Sequence, residues 1–187
     1  MAEKKYIKVC EFHEGLAVVK GEDGQLGVID ESKTEVVPCI YDYVGNYKKG
    51  LAKVKKNDKR GIIDRKGNVL VSLKYDRDES YMFDDICKNP KRFAELETEC
   101  FKNNEFVIDC VKLLSHIIDF MLLDAKTDEE VMAINSLVEM VPTKIATEKY
   151  NLENPKVEDG EKKDTSDPKL KEEIKKKKKE LFGGIEL

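Results

Sequence analysis

Tryptophan is missing from this 187-residue chain, and all aromatics together make up 7% of it. So sparse an aromatic content argues against a large aromatic-lined cavity. Histidine occurs only as His13 and His116, and neither stands at a spacing that links it to a cysteine or serine. A catalytic reading needs a nucleophile, a base and an orienting group, or a metal cage. No local pattern supplies one, so both histidines read as structural and no catalytic residue, metal or cofactor is assigned. Long apolar runs are lacking as well: none reaches the roughly 18 residues that cross a bilayer. No apolar stretch of signal-peptide length follows Met1-Ala2-Glu3-Lys4-Lys5. The expectation is a protein with no membrane contact. Glycine-rich phosphate loops are also absent, and the glycines fall at turns instead.

Cysteine is present but unpatterned. Cys10, Cys39, Cys87, Cys100 and Cys110 are odd in number and widely spaced, with no C-x-x-C pair. That is neither a disulfide framework nor a zinc signature. Free thiols packed as small hydrophobes in a reducing compartment fit best, which places the chain in the cytoplasm or in a particle assembled there.

What the chain has in excess is charge: 39% of its residues are Asp, Glu, Lys or Arg, against about 25% in an average soluble domain. The charge divides the chain into three. Residues 1–83 carry 16 basic and 14 acidic side chains, residues 84–152 carry 8 and 14, and residues 153–187 carry 10 of each.

The first region contains an internal repeat, which outranks any local signal. Glu14-Gly15-Leu16-Ala17-Val18-Val19 returns as Lys49-Gly50-Leu51-Ala52-Lys53-Val54. Leu26-Gly27-Val28-Ile29-Asp30 returns as Arg60-Gly61-Ile62-Ile63-Asp64, and Ile40-Tyr41-Asp42 as Lys74-Tyr75-Asp76. The offsets are 35, 34 and 34 residues. Alternating apolar positions read as strands. Asp64-Arg65-Lys66-Gly67 reads as a type I turn followed by a left-handed glycine, joining antiparallel strands. The first copy has Asp30-Glu31-Ser32-Lys33 there, without the glycine, so its turn is expected to differ in detail. Phe12, Tyr47 and Tyr81 continue the phase, but Asp84-Asp85-Ile86 stands where Gly-Leu-Ala is due, so the array is expected to stop near residue 83.

The frame F-x-E-G-L-A-x-V, then W-G-x-I-D-x-x-G, then V-x-P-x-Y-D resembles the WG-containing repeat family. It runs here from Phe12 to Asp42 and from Tyr47 to Asp76, with Leu26 and Arg60 in place of the name-giving tryptophan. The resemblance implies a β-hairpin array of bacteria and their phages that acts as an accessory or interaction module. It implies no catalytic residue.

Beyond it the period becomes helical. Asn89-Pro90 reads as an N-cap with proline at the first helical position, ahead of Phe93, Leu96, Cys100 and Phe101. Asn104 is expected to cap a second helix, apolar over more than half its circumference, from Phe106 to Leu122. Thr127-Asp128-Glu129-Glu130 is a capping box for a third helix that Pro142 should end, and Thr143 should cap a short fourth through Tyr150. Residues 84–152 thus read as a small helical bundle. The segment 153–187 reads as a linker and lysine-rich tail, with Leu170, Ile174 and Leu181 on one stripe.

Asp30 and Asp64 recur at equivalent positions and read as turn residues rather than an acid–base pair. Asp76, Asp78, Asp84 and Asp85 do not match a calcium loop. Basic side chains crowd the second repeat, and Lys53 and Lys55 share one strand face that suits an acidic partner; lysine protection of a strand edge is the plain alternative. In the tail, Lys175, Lys176, Lys177, Lys178 and Lys179, followed by Leu181 and Phe182, form a second candidate contact. Nonspecific nucleic-acid binding there is a distant alternative, because the chain is acidic and no aromatic alternates with the lysines.

The fold class expected is α+β: an antiparallel β-meander of two repeats (1–83), a helical bundle (84–152) and a charged tail (153–187). Two repeats cannot close their own edges, so the bundle or a partner chain is expected to cover one. The function expected is non-enzymatic, a protein–protein interaction module or adaptor. The alternative is a phage virion or assembly component anchored by its tail.

Overall fold

The computed structural model describes residues 6–155, which divide into two compact units, one up to Lys88 and one from Asn89 onward. Strands β1 (Lys8–His13), β2 (Leu16–Lys20), β3 (Leu26–Asp30) and β4 (Glu35–Tyr41) form one antiparallel sheet in sequential order. Strands β5 (Tyr43–Val44), β6 (Leu51–Lys56), β7 (Lys59–Asp64) and β8 (Val69–Tyr75) form a second in the same order. Each sheet is one repeat, and the expected antiparallel meander is the observed fold. Helix α1 (Arg77–Lys88) follows β8 and belongs to the first unit.

The turns explain the repeated residues. Glu14-Gly15, Lys49-Gly50 and Asn57-Asp58 all have positive φ at both central positions, the type I′ geometry that matches strand twist in two-residue hairpins. Asp64 Oδ1 accepts the backbone N–H groups of Lys66 and Asn68, and Asp30 Oδ1 accepts that of Thr34 and the Ser32 hydroxyl. Both aspartates are therefore turn residues. The two turns do not differ as expected. Lys33 adopts φ 63° where Gly67 adopts 83°, and each donates its N–H to the aspartate carbonyl three residues back. The Asp30 side-chain bonds hold the lysine in a left-handed conformation it would otherwise avoid.

Gly27 and Gly61 repeat for a different reason. Register irregularities in β4 and β8 press the return strand against them. A Cβ at Gly27 would lie 2.6 Å from the Val37 carbonyl oxygen, and one at Gly61 would lie 2.5 Å from that of Val71.

The sheets stack through unlike faces. Leu16, Val18, Val28 and Val37 of the first sheet share a core with Val44, Ala52, Val54 and Ile63 of the second. In repeat register, Val18 corresponds to Lys53 and Val28 to Ile62, so the first sheet presents one face and the second presents the opposite one. Glu14 adds a polar tie, its carboxylate accepting the backbone N–H groups of Lys49 (2.7 Å) and Gly50 (2.9 Å) in the equivalent turn. A head-to-tail array has no natural end. Here the second copy ends it by composition: Lys49 replaces Glu14, Lys53 replaces Val18 and Arg60 replaces Leu26. Helix α1 packs on β7 and β8 where a third sheet would lie, burying Phe83 and Ile86, with the Phe83 ring 4.7 Å from that of Tyr75. The first compact unit reaches Lys88 and so includes α1. The cover expected for an open edge is a helix on a sheet face.

The second unit departs from the expected helices in three places. Asn89 caps as expected, its side chain accepting from Lys91 N, but two 3₁₀ helices, Pro90–Glu95 and Thr98–Lys102, replace one α-helix. Phe93 and Phe101 are both buried, with ring centroids 5.7 Å apart. In a straight α-helix eight residues would separate them by about 12 Å along the axis, so the chain breaks at Leu96 to bring the rings together. Helix α2 (Asn104–Asp124) is capped by Asn103, not Asn104. Helix α3 (Asp128–Glu153) starts at the expected Thr127 capping box and runs straight through Pro142. Ile134, Leu137, Val141 and Ile145 form one buried stripe across the proline, and that packing outweighs the missing hydrogen bond. Thr143 does not cap a fourth helix but donates its hydroxyl to the Glu139 carbonyl.

Candidate functional site

Where α1 crosses the outer face of the second sheet it leaves a cleft of about 480 Å³. Ile62, Val71 and Phe83 line its apolar side, and Tyr43, Lys53, Lys55 and Arg60 its polar side, with Asp42 and Asp84 beside them. The register explains the gathering. Tyr43 lies opposite Lys55, and Lys55 opposite Arg60, so these three project from the same face of β5, β6 and β7. Lys53 lies opposite Ile62 on that face.

Lys53 and Lys55, expected to meet an acidic partner, already have acidic neighbours within the chain. Lys53 Nζ lies 2.7 Å from Asp84 of α1, and Lys55 Nζ lies 2.7 Å from Asp58. The two pairs differ in exposure: the Asp84 side chain is 18% accessible and that of Asp58 93%. The hydrogen bond from Lys55 holds the Asp58 carboxyl below its usual range. Asp42 is occupied too, accepting the Asn57 N–H at 2.7 Å. Arg60 is half-buried; its guanidinium makes no direct hydrogen bond or ion pair among the described residues, but its charge helps hold the Asp58 carboxyl down. Tyr43 is 52% exposed at the rim.

Other sequence candidates lie apart from the cleft. His13 contacts the Asn46 side chain at 3.0 Å, and the Nε2 of His116 is buried without a partner among the described residues. Asp76 pairs with Lys59 and Asp85 with Lys88. No group of three or more His, Cys, Asp or Glu residues is placed to hold a metal ion among the described residues. None of the five cysteines is in a disulfide. Burial pushes the Cys87 thiol up to about 11, and such a thiol is a poor nucleophile at neutral pH. Lys175, Lys176, Lys177, Lys178, Lys179, Leu181 and Phe182 lie outside the described residues. Sequence reasoning missed Tyr43 and Phe83, weighed Asp84 only within a carboxylate cluster, and noted Arg60 at the tryptophan position without assigning it a role. The available signal was the exchange of leucine for arginine at the equivalent repeat position.

The family of WG containing repeats matches residues 27–59 and 61–84, so the resemblance carried by the repeated frame is shown for this segment. The first stretch opens on Gly27 and the second on Gly61, the two glycines pressed against a return strand, and the second reaches into α1. No curated protein and no solved structure matches the chain. No described helix is long and apolar enough to cross a membrane.

Proposed function

We propose that this repeat-bearing chain is a non-enzymatic interaction module that binds another protein through the outer face of its second sheet. One observation carries the reading: the face that would pack a third repeat departs from the apolar pattern at Lys53 and Arg60 and keeps an open cleft beside α1. A residue change that served only to end the array would need solubility alone, which scattered surface charge supplies. Here the charges and an exposed tyrosine converge on an apolar-floored depression, a composition suited to recognition.

The test is affinity capture from the native source with three full-fold baits: the whole chain, the same chain carrying Tyr43→Ala and Lys55→Glu, and a version ending at Pro155. A stoichiometric partner lost only from the double variant supports the β-face reading. A partner lost only on truncation moves recognition to the tail and to an assembly role. If the whole chain captures nothing, the interaction reading falls.

A further inference from the structure

We infer that the cleft is a carboxylate-recognition site for an acidic peptide, with Arg60 as its anchoring residue; this rests on the interaction reading above and names the chemistry of the partner. Arginine stands where the first repeat has Leu26 and where the family frame has its tryptophan. Its guanidinium is half-buried, and the anionic charge that acts on it without a direct hydrogen bond or ion pair is the exposed Asp58. A guanidinium presents a planar fork of donors that fits a carboxylate in two parallel bonds. Leaving it partly desolvated with no acceptor costs stability, and a bound acceptor recovers that cost.

The neighbours narrow the ligand. Both carboxylates of the cleft are already engaged, Asp84 by Lys53 and Asp42 by the Asn57 N–H, so neither competes for Arg60. Lys55 sits opposite Arg60 on the adjacent strand, and strand spacing places the two within reach of one anionic group. Its present partner, Asp58, lies on a hairpin turn and is almost fully exposed, so exchanging it for a ligand costs little. Three cationic and two anionic side chains line the cleft, an excess of one positive charge. That matches a monoanionic carboxylate, whereas a dianionic phosphate would exceed it by one charge. Ile62, Val71 and Phe83 supply an apolar wall for the residue next to the acid. Tyr43, half-exposed at the rim, supplies a flat surface for the peptide backbone.

The test is a titration of the ¹⁵N-labelled full chain, following the Arg60 side-chain N–H and the Lys55, Gly61 and Val71 amides. The probes are acetyl-Leu-Glu-Leu-amide, its glutamine analogue, its phosphoserine analogue and sodium acetate. The glutamate peptide should bind at least about tenfold more tightly than the glutamine peptide, as expected for a charge-assisted pair. Arg60→Gln and Arg60→Leu should each erase that difference, and Lys112→Gln, on α2, should preserve it. Leucine occupies the equivalent position 26, so the second variant keeps a residue the strand tolerates, and unchanged amide shifts elsewhere verify its fold.

Equal affinity for the glutamate and glutamine peptides overturns the proposal, as does tighter binding of the phosphoserine peptide. Acetate binding as tightly as the peptide also overturns it, since the site would then hold a small anion only. Affinity capture separates the two levels of the reading. A partner kept by the Arg60→Leu bait refutes the Arg60 anchor and leaves the interaction module standing. An empty capture by the unaltered chain removes the module itself.

Discussion

At Lys33 and Gly67 the same turn is solved twice with different residues, and the difference is measurable. Lysine pays the steric cost of the left-handed region, whereas glycine does not. Lys33→Gly should therefore stabilise the protein by about 0.5–1 kcal/mol in urea denaturation, the steric relief exceeding the added freedom of the unfolded chain. Gly61→Ala should act in the opposite direction. With the Val71 carbonyl oxygen 2.5 Å from the new Cβ, backbone must move, and a loss of about 2 kcal/mol or more is expected. Comparable stability of the Gly61→Ala protein would mean that β8 is free to shift. Glu148 gives the residue scale its pH dependence. Burial acts to raise its carboxyl, but hydrogen bonds from Lys144, Thr98 and Asn151 outweigh that and hold it below the ordinary glutamate range. A depressed folded value stabilises the folded state above the unfolded pKa, and the benefit is lost as pH falls through the folded one. Glu148→Gln should thus weaken amide-exchange protection of α3 at pH 7, and the gap from the unaltered chain should close on acidification below about pH 4.

Among the elements, α1 and α3 show tertiary packing overruling local signals. Pro142 reads as a helix stop, and α3 passes through it because its apolar stripe has a place to be buried on both sides of the proline. Pro142→Ala restores the donor and removes the ring clash, so a gain of about 1–3 kcal/mol is expected in thermal or chemical unfolding of the helical unit. No gain would show that the helix has already relaxed around the ring. Helix α1 has a short apolar face, Phe83 and Ile86, and that face does what a third sheet would do. Phe83→Ala should cost about 3–5 kcal/mol and release protection of β7 and β8 together in hydrogen exchange.

On the scale of the molecule, α1 belongs to the compact unit that ends at Lys88. A fragment ending at Lys88 should unfold cooperatively, while one ending at Asp76 should expose the face carrying Leu51, Ile62 and Val71 and self-associate in sedimentation. If both fragments behave alike, α1 is not the terminator of the array. Much of this was legible in the sequence. The repeat, its hairpins, the Asp30 and Asp64 turns and the Thr127 capping box all follow from residues within a few positions of one another, where propensity and turn chemistry act directly. The Lys33 turn, the passage through Pro142, the 3₁₀ break that joins Phe93 to Phe101 and the role of α1 did not follow. Each depends on what packs against the segment, and that partner lies far along the chain. The cleft belongs to the second class for the same reason. Tyr43, Lys55, Arg60 and Phe83 span three strands and a helix, and only strand register brings them to one face. By itself the sequence determined that the array ends at the second copy, because Asp84-Asp85-Ile86 stands where a third Gly-Leu-Ala is due. The tertiary structure decided what stands at that end, because a face is defined by the elements on both sides of it.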